Sequence, residues 1–184
     1  MITNLSDFIS QRTNKSIYLL EKMVLSDVEE ALSDWKNQNI ENCILIGGAA
    51  YSLLVEPRYT EDIDLLFMCP DDVPNFVSGF KRVRPSAFRH IKTHVEVEVL
   101  KPITINIEPK LVDIFFATSW DIDGIKVISP SSLIVSKFGR FNDKDKTDII
   151  NLINNFDIDL SPFDLSETDQ NKYKEMVERS NKKE

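Results

Sequence analysis

Two aspartates separated by one residue, Asp62-Ile63-Asp64, interrupt an apolar run, and thirteen residues upstream of them stands the pair Gly47-Gly48. In an extended strand successive side chains alternate, so Asp62 and Asp64 share a face with their Cα atoms roughly 6.6 Å apart, while Ile63 points into the core. Two like charges on one face repel unless a cation neutralises them, and an all-oxygen site suits Mg2+ or Mn2+. Gly47-Gly48 follows one apolar run and precedes a short helical pattern. Glycine permits close approach of backbone to a ligand, and amides at a helix start attract phosphate. A phosphate-gripping turn beside a cation-holding pair points to chemistry on a nucleoside triphosphate. A third carboxylate fits this scheme: Asp113 breaks the apolar run Leu111-Val112-Asp113-Ile114-Phe115-Phe116. A carboxylate in such a strand is costly to bury without a partner, and a metal would be one.

These residues need elements to position them. The chain has 184 residues, 42% of them hydrophobic, which suits one domain with a helical appendage. Residues 17–38 have a helical pattern: Ser26 and Glu29 are spaced as a capping box, Val28, Ala31, Leu32 and Trp35 fall on one face, and Asn39 is the stop. Cys43 to Ile46 reads as a buried strand, Ala49 to Val55 as a short helix, Ile63 to Met68 as the next strand and Asp72 to Phe80 as a helix. From Thr93 the period becomes two. Val95, Val97 and Val99 alternate with Glu96 and Glu98, and Ile103, Ile105 and Ile107 alternate with polar residues, giving strands with one solvated face. Leu111 to Ala117 is continuously apolar and reads as a central strand. Asp121 to Gly124 is a turn, and Lys126 to Ile128 a short strand. Ser129-Pro130 has the form of an N-cap followed by proline at the first helical position, and helices are expected to about Phe138, over Lys144 to Asn154, and from Ser166. The expectation is a mixed α/β (α+β) fold with helices on one side of a mixed sheet: a core over residues 1–128, and a helical region over 129–184 packed on it as one compact unit.

Composition narrows the partners. The net charge of -8 excludes a general nucleic-acid coater, since non-specific affinity comes from Lys and Arg on phosphates. Lys81, Arg82, Arg84, Arg89 and Lys92, interleaved with Phe80 and Phe88, form a basic cluster. It reads either as a solvated face that balances nearby acid or as a contact for RNA or nucleotide phosphates. Cys43 and Cys69 read as reduced core residues, too few for a disulfide framework. His90 and His94 stand four apart, but the second begins a strand pattern and no third ligand is near, so zinc is not expected. No apolar run reaches the roughly 18–20 residues of a membrane helix, the N-terminal residues lack a signal-peptide pattern, and a cytoplasmic protein is expected.

The run Gly47-Gly48, thirteen residues, Asp62-Ile63-Asp64 and the later Asp113 resembles the signature of the DNA-polymerase-beta-like nucleotidyltransferase superfamily. Arg58-Tyr59-Thr60-Glu61-Asp62-Ile63-Asp64 is similar to a motif of minimal bacterial nucleotidyltransferases, which include relatives of abortive-infection and toxin–antitoxin enzymes. Ser129 to Lys137, Arg140 and Lys144 to Ile149 resemble their helical region. The resemblance implies Mg2+ (or Mn2+) held by Asp62, Asp64 and Asp113, with Asp113 helping to deprotonate an attacking hydroxyl. It implies nucleotide contacts from Gly47, Gly48, Arg58, Thr60, Lys137, Arg140 and Lys144, with Lys137 on the triphosphate. Many active members have Ser where Gly48 stands; phosphate binding would then rest on backbone amides and basic side chains. The implied reaction moves a nucleoside monophosphate from an NTP to an acceptor hydroxyl on RNA, protein or a small molecule. The alternative is a catalytically silent nucleotide-binding module, and a cognate toxin or antitoxin partner is part of either expectation.

Overall fold

The computed structural model describes residues 19–56, 60, 62–102 and 107–183, with side chains from Ser26 onward. These residues form two compact units, divided between Ile128 and Ser129. No helix among the described residues is long and apolar enough to cross a membrane.

The first unit is built on a mixed seven-stranded sheet in the order β3-β4-β5-β2-β1-β7-β6. In chain order its elements are α1 (Leu19–Lys36), β1 (Cys43–Ile46), α2 (Gly47–Leu54), β2 (Asp62–Phe67), β3 (Phe80–Arg84), β4 (Ala87–His90), β5 (Glu96–Leu100), α3 (Pro109–Ala117), β6 (Trp120–Ile122) and β7 (Ile125–Val127). β1 runs antiparallel to β2, and β2 parallel to β5. The hairpin β3–β4 continues the sheet beyond β5. β7 lies parallel to β1 and pairs with β6 through the two-residue turn Asp123-Gly124.

The period of two gives each strand two unlike faces. Ile63 and Leu65 on β2, Val97 and Val99 on β5 and Phe88 on β4 are all buried on one face. Helix α1 covers it with Val28, Ala31, Leu32 and Trp35, the stripe expected from the sequence, and the Trp35 ring meets Phe80 and Phe88 edge-on at 5.3 and 5.7 Å. Burying a side chain of this kind is worth about 1.5–3 kcal/mol. Ser26 and Glu29 lie inside α1 and mark no helix start. Asn39 ends the turn after α1 with a positive φ of 52°.

Two expected elements differ, and a third lies largely outside the described residues. Asp72 to Phe80 is not a helix. A single 3-10 turn, Pro70–Asp72, precedes irregular chain and then β3, because Pro70 and Pro74 lack amide donors. Leu111 to Ala117 is not a central strand but lies in helix α3, started by Pro109 at its first turn, with Val112 and Phe115 buried three residues apart. A short apolar run fits either state by periodicity, and here the proline at the start decides. Of the strand expected around Ile103, Ile105 and Ile107, residues 103–106 lie outside the described residues, and Ile107 is not in a strand.

The second unit holds α4 (Pro130–Lys137), α5 (Asp143–Asn155) and α6 (Glu167–Ser180). Ser129 caps α4, its Oγ accepting from the Ser132 amide at 3.3 Å. Asn142 and Asp145 form a capping box on α5, and Ser166 caps α6. Such caps are worth about 1 kcal/mol each.

Candidate functional site

Strand β1 ends at Ile46 and helix α2 begins at the next residue. Gly47 makes that change of direction with φ +67°, and a Cβ built there would overlap Asp64 Oδ2. Ile46 and Asp64 are register partners, so the second aspartate of β2 lies directly against the turn. Only glycine meets both demands, a left-handed backbone and room for a carboxylate. The N-cap Ile46 gives α2 no side-chain cap, and the first amides of an α-helix, those of Gly47 and Gly48 here, have no acceptor within the helix itself. Gly48 is half-buried, and its carbonyl accepts from Ser52 Oγ at 3.0 Å.

Asp62 stands two residues before Asp64 on the same face of β2. The buried Thr60 aims its hydroxyl at Asp62 Oδ1 and at the Asp62 carbonyl, both at 3.2 Å. Thr60 therefore orients the first carboxylate. Arg58 lies outside the described residues.

Asp113 does not have the strand setting expected of it. It is exposed on α3 rather than set in a strand beside β2. The acids that the sheet brings to Asp62 and Asp64 come from β5, where Glu96 is the register partner of Asp62 and Glu98 of Asp64. Paired strands lie about 4.8 Å apart, so four carboxylates occupy one patch of one face. The alternation over Val95 to Val99 assigns Glu96 and Glu98 to a solvated face. The same alternation could have revealed them as site residues, because it matches the Asp-Ile-Asp alternation of the neighbouring strand.

Arginines of the hairpin meet this charge. Arg84 pairs with Glu96 and, at 3.1 Å, with Glu98; Arg89 pairs with Glu96 at 3.3 Å. The basic cluster of the sequence is thus largely engaged within the protein. Lys92 reaches Glu30 at 3.1 Å on α1, and Arg82 lies 5.2 Å over the Phe88 ring. Among the described residues no three His, Cys, Asp or Glu side chains stand close enough together to hold a metal ion as they are. Asp62, Asp64 and Glu98 are hard oxygen donors on one face, and the glycine cradle keeps a carboxylate where any other residue would displace it.

His90 belongs to the opposite, α1-covered face. Its buried ring bridges Asp34 Oδ2 at 3.1 Å and Thr93 Oγ1 at 2.8 Å, which latches α1 to the β4–β5 turn. His94 sits in that turn with φ +62°. Cys43 is largely buried and burial pushes its thiol up to about 11, whereas Cys69 is exposed.

In the second unit, Lys137 is only 4% exposed, and its Nζ lies 2.7 Å from Asp148 Oδ2 and 3.5 Å from Asp145 Oδ1. Arg140 joins Asp145 Oδ1 at 3.0 Å with most of its side chain in solvent. Asp145 also accepts from the Asn142 amide at 3.4 Å. Lys137 and Arg140 are therefore brought together by two aspartates of α5, while Lys144 is exposed on the first turn of that helix. A phosphate contact by Lys137 would have to be exchanged against this buried pairing, which partly buried charges do not give up cheaply.

The model of one protein family, described as nucleotidyltransferase of unknown function (DUF6036), matches residues 22–183. No curated protein matches the chain.

Proposed function

The chain belongs to this family of nucleotidyltransferases, and from that premise we propose that it transfers a nucleoside monophosphate from an NTP to an acceptor hydroxyl and releases pyrophosphate, with Mg2+ or Mn2+ as cofactor. The observation that carries the reading is the fit of Asp64 into the space left by Gly47, which makes the phosphate turn and the acidic pair one piece of structure. Asp62 and Asp64 would hold the cation together with Glu98, the register partner of Asp64 on their face. When bound, a divalent cation neutralises charge on the phosphates and polarises the bond that breaks.

The residues of the chain divide the remaining tasks. The amides of Gly47 and Gly48 donate to the phosphate tail from the start of α2, where the helix dipole favours anions. Thr60 keeps the Asp62 carboxylate in place. Glu98 accepts the proton of the acceptor hydroxyl as its oxygen attacks the α-phosphorus and the pyrophosphate oxygen departs. Such transfer rests on positioning and electrostatics rather than on covalent help from the protein. The acceptor class, whether RNA, protein or a small molecule, is set by what the charged face admits.

Incubation of the protein with α-labelled NTPs, Mg2+ and cell RNA and protein tests the reading. Label transfer that disappears in Asp62→Asn and Glu98→Gln but survives in Asp113→Asn is expected. Transfer unaffected by Asp62→Asn and Glu98→Gln would refute it. A second reading, a nucleotide-binding module without transfer, draws on the hold that Arg84 keeps on Glu98. Nucleotide binding without label transfer would favour that one.

A further inference from the structure

One row of register partners crosses five strands: Arg84 on β3, Ala87 on β4, Glu98 on β5, Asp64 on β2 and Ile46 on β1, with Gly47 next in the chain. Arg84 owes its place in that row to an irregularity. Arg82 opposes Phe88, so an unbroken ladder would set Val83 opposite Ala87; the shift between Arg82 and Arg84 sets Arg84 there instead. Bulges of this kind re-aim a side chain. Ala87 is small and fully buried, and the Arg84 guanidinium reaches across β4 to Glu98 and Glu96. The Arg84 side chain is still about half in solvent, at 54% exposure, so its hold on the acids is loose enough to exchange.

We propose that Arg84 is the exchangeable counter-ion of the acidic row: it pairs with Glu98 in the free protein, yields Glu98 to the divalent cation, and turns its fork to the phosphates that arrive with the cation. The inference rests on the reading of Asp62, Asp64 and Glu98 as cation ligands. Four carboxylates on two paired strands need positive charge at all times, and a planar five-donor fork can serve either two carboxylates or a phosphate. Arg89 stays on Glu96 through the exchange, being its register partner.

The role makes opposite demands on two affinities. Removing Arg84 frees Glu98 for a bare cation, so Arg84→Met should bind Mn2+ about two- to fivefold more tightly than wild type. It also removes a phosphate contact, so the same variant should bind manganese triphosphate about tenfold or more weakly. Both are read by isothermal titration, and Mn2+ binding is checked by the electron-spin signal of free Mn2+. Arg84→Lys keeps the charge without the fork, should shift both affinities in the same directions but less, and carries the test if the Met variant does not fold. Unchanged or weaker Mn2+ binding, or unchanged triphosphate binding, in these variants overturns the inference. Asp62→Asn separates the two levels. If it loses Mn2+ while Arg84→Met behaves as wild type, only the role of Arg84 fails. If it binds Mn2+ as wild type does, the cation site fails and the role of Arg84 with it.

Discussion

Gly47→Ala tests the joint on which the site depends. Alanine at φ +67° costs about 1–2 kcal/mol of backbone energy. Its Cβ also overlaps Asp64 Oδ2, and turning that carboxylate away from its rotamer costs about 0.5–1.5 kcal/mol more. The total is roughly 2–3 kcal/mol, which for a chain of this size lowers Tm by roughly 5–10 °C. Gly79 supplies the control, since its φ is +80° and a Cβ there meets nothing within 4 Å. Gly79→Ala should cost the backbone part alone, about 1–2 kcal/mol. The excess of Gly47→Ala over Gly79→Ala is then the contribution of Asp64, and it should vanish in Gly47→Ala combined with Asp64→Ala, as a double-mutant cycle requires of two groups in contact. Thermal unfolding followed by circular dichroism measures the cycle, and Mn2+ titration follows the site. Gly47→Ala should lose most of its Mn2+ affinity, while Gly79→Ala keeps it. Equal melting temperatures for the two single variants, with Mn2+ binding intact in both, would show that the carboxylate has room to move and that the glycine is no cradle.

Lys137→Met should destabilise the protein by about 3–5 kcal/mol in urea unfolding, because it takes the ammonium away from the buried Asp148 and leaves Asp145 to Arg140 alone. Pairing it with Asp148→Leu should recover much of the loss, since a buried pair replaced together by apolar groups is often neutral. His90→Ala removes the bridge between Asp34 and Thr93 and opens a gap against Phe80, whose ring centroid lies 4.8 Å from that of the imidazole; a loss of about 2–4 kcal/mol is expected in the same assay, with nucleotide binding retained. A thiol reagent at pH 8 should label Cys69 fast and Cys43 only on unfolding. Burial holds the Cys43 thiol neutral up to about 11, and its thiolate, the reactive form, gains population only as pH rises toward that value.

The parts of the fold that were legible are those whose signal is local. Ser129-Pro130 specifies a helix start by cap and ring geometry alone, and α4 begins there. Cys43 to Ile46 is apolar and short, bounded by polar residues and a glycine pair, and it is β1 to the residue. Leu111 to Ala117 fails because its apolar run carries no period, and with it fails the strand setting of Asp113. The hairpin β3–β4 was hidden behind its charges. Lys81, Arg82, Arg84, Arg89 and Lys92 read as a surface cluster, but the acids that Arg84, Arg89 and Lys92 meet, Glu96, Glu98, Glu30 and Asp34, come from β5 and α1, which no local pattern of the cluster itself reveals. Glu98 shows the same limit from the other side. Its strand was evident, yet its membership in the site depends on β5 lying next to β2, in parallel and in register, which is a property of the sheet order rather than of any segment.

The arrangement also explains how a small unit holds four acids on one patch without losing its core. Each acid on β2 or β5 adjoins a buried apolar residue of its own strand: Ile63 between Asp62 and Asp64, and Val97 between Glu96 and Glu98. The apolar set faces α1 and anchors the strands, so the backbone positions of the acids are fixed by burial worth several kcal/mol on the far face of the sheet. Repulsion on the near face is then offset by side chains that can move, Arg84 and Arg89, rather than by the packing itself. Charge on the near face can therefore change, as a cation and a polyphosphate would change it, while the strands that carry the acids stay in register. A site that depended on Asp113 in a helix would lack this separation, since the helix would have to move with its charge.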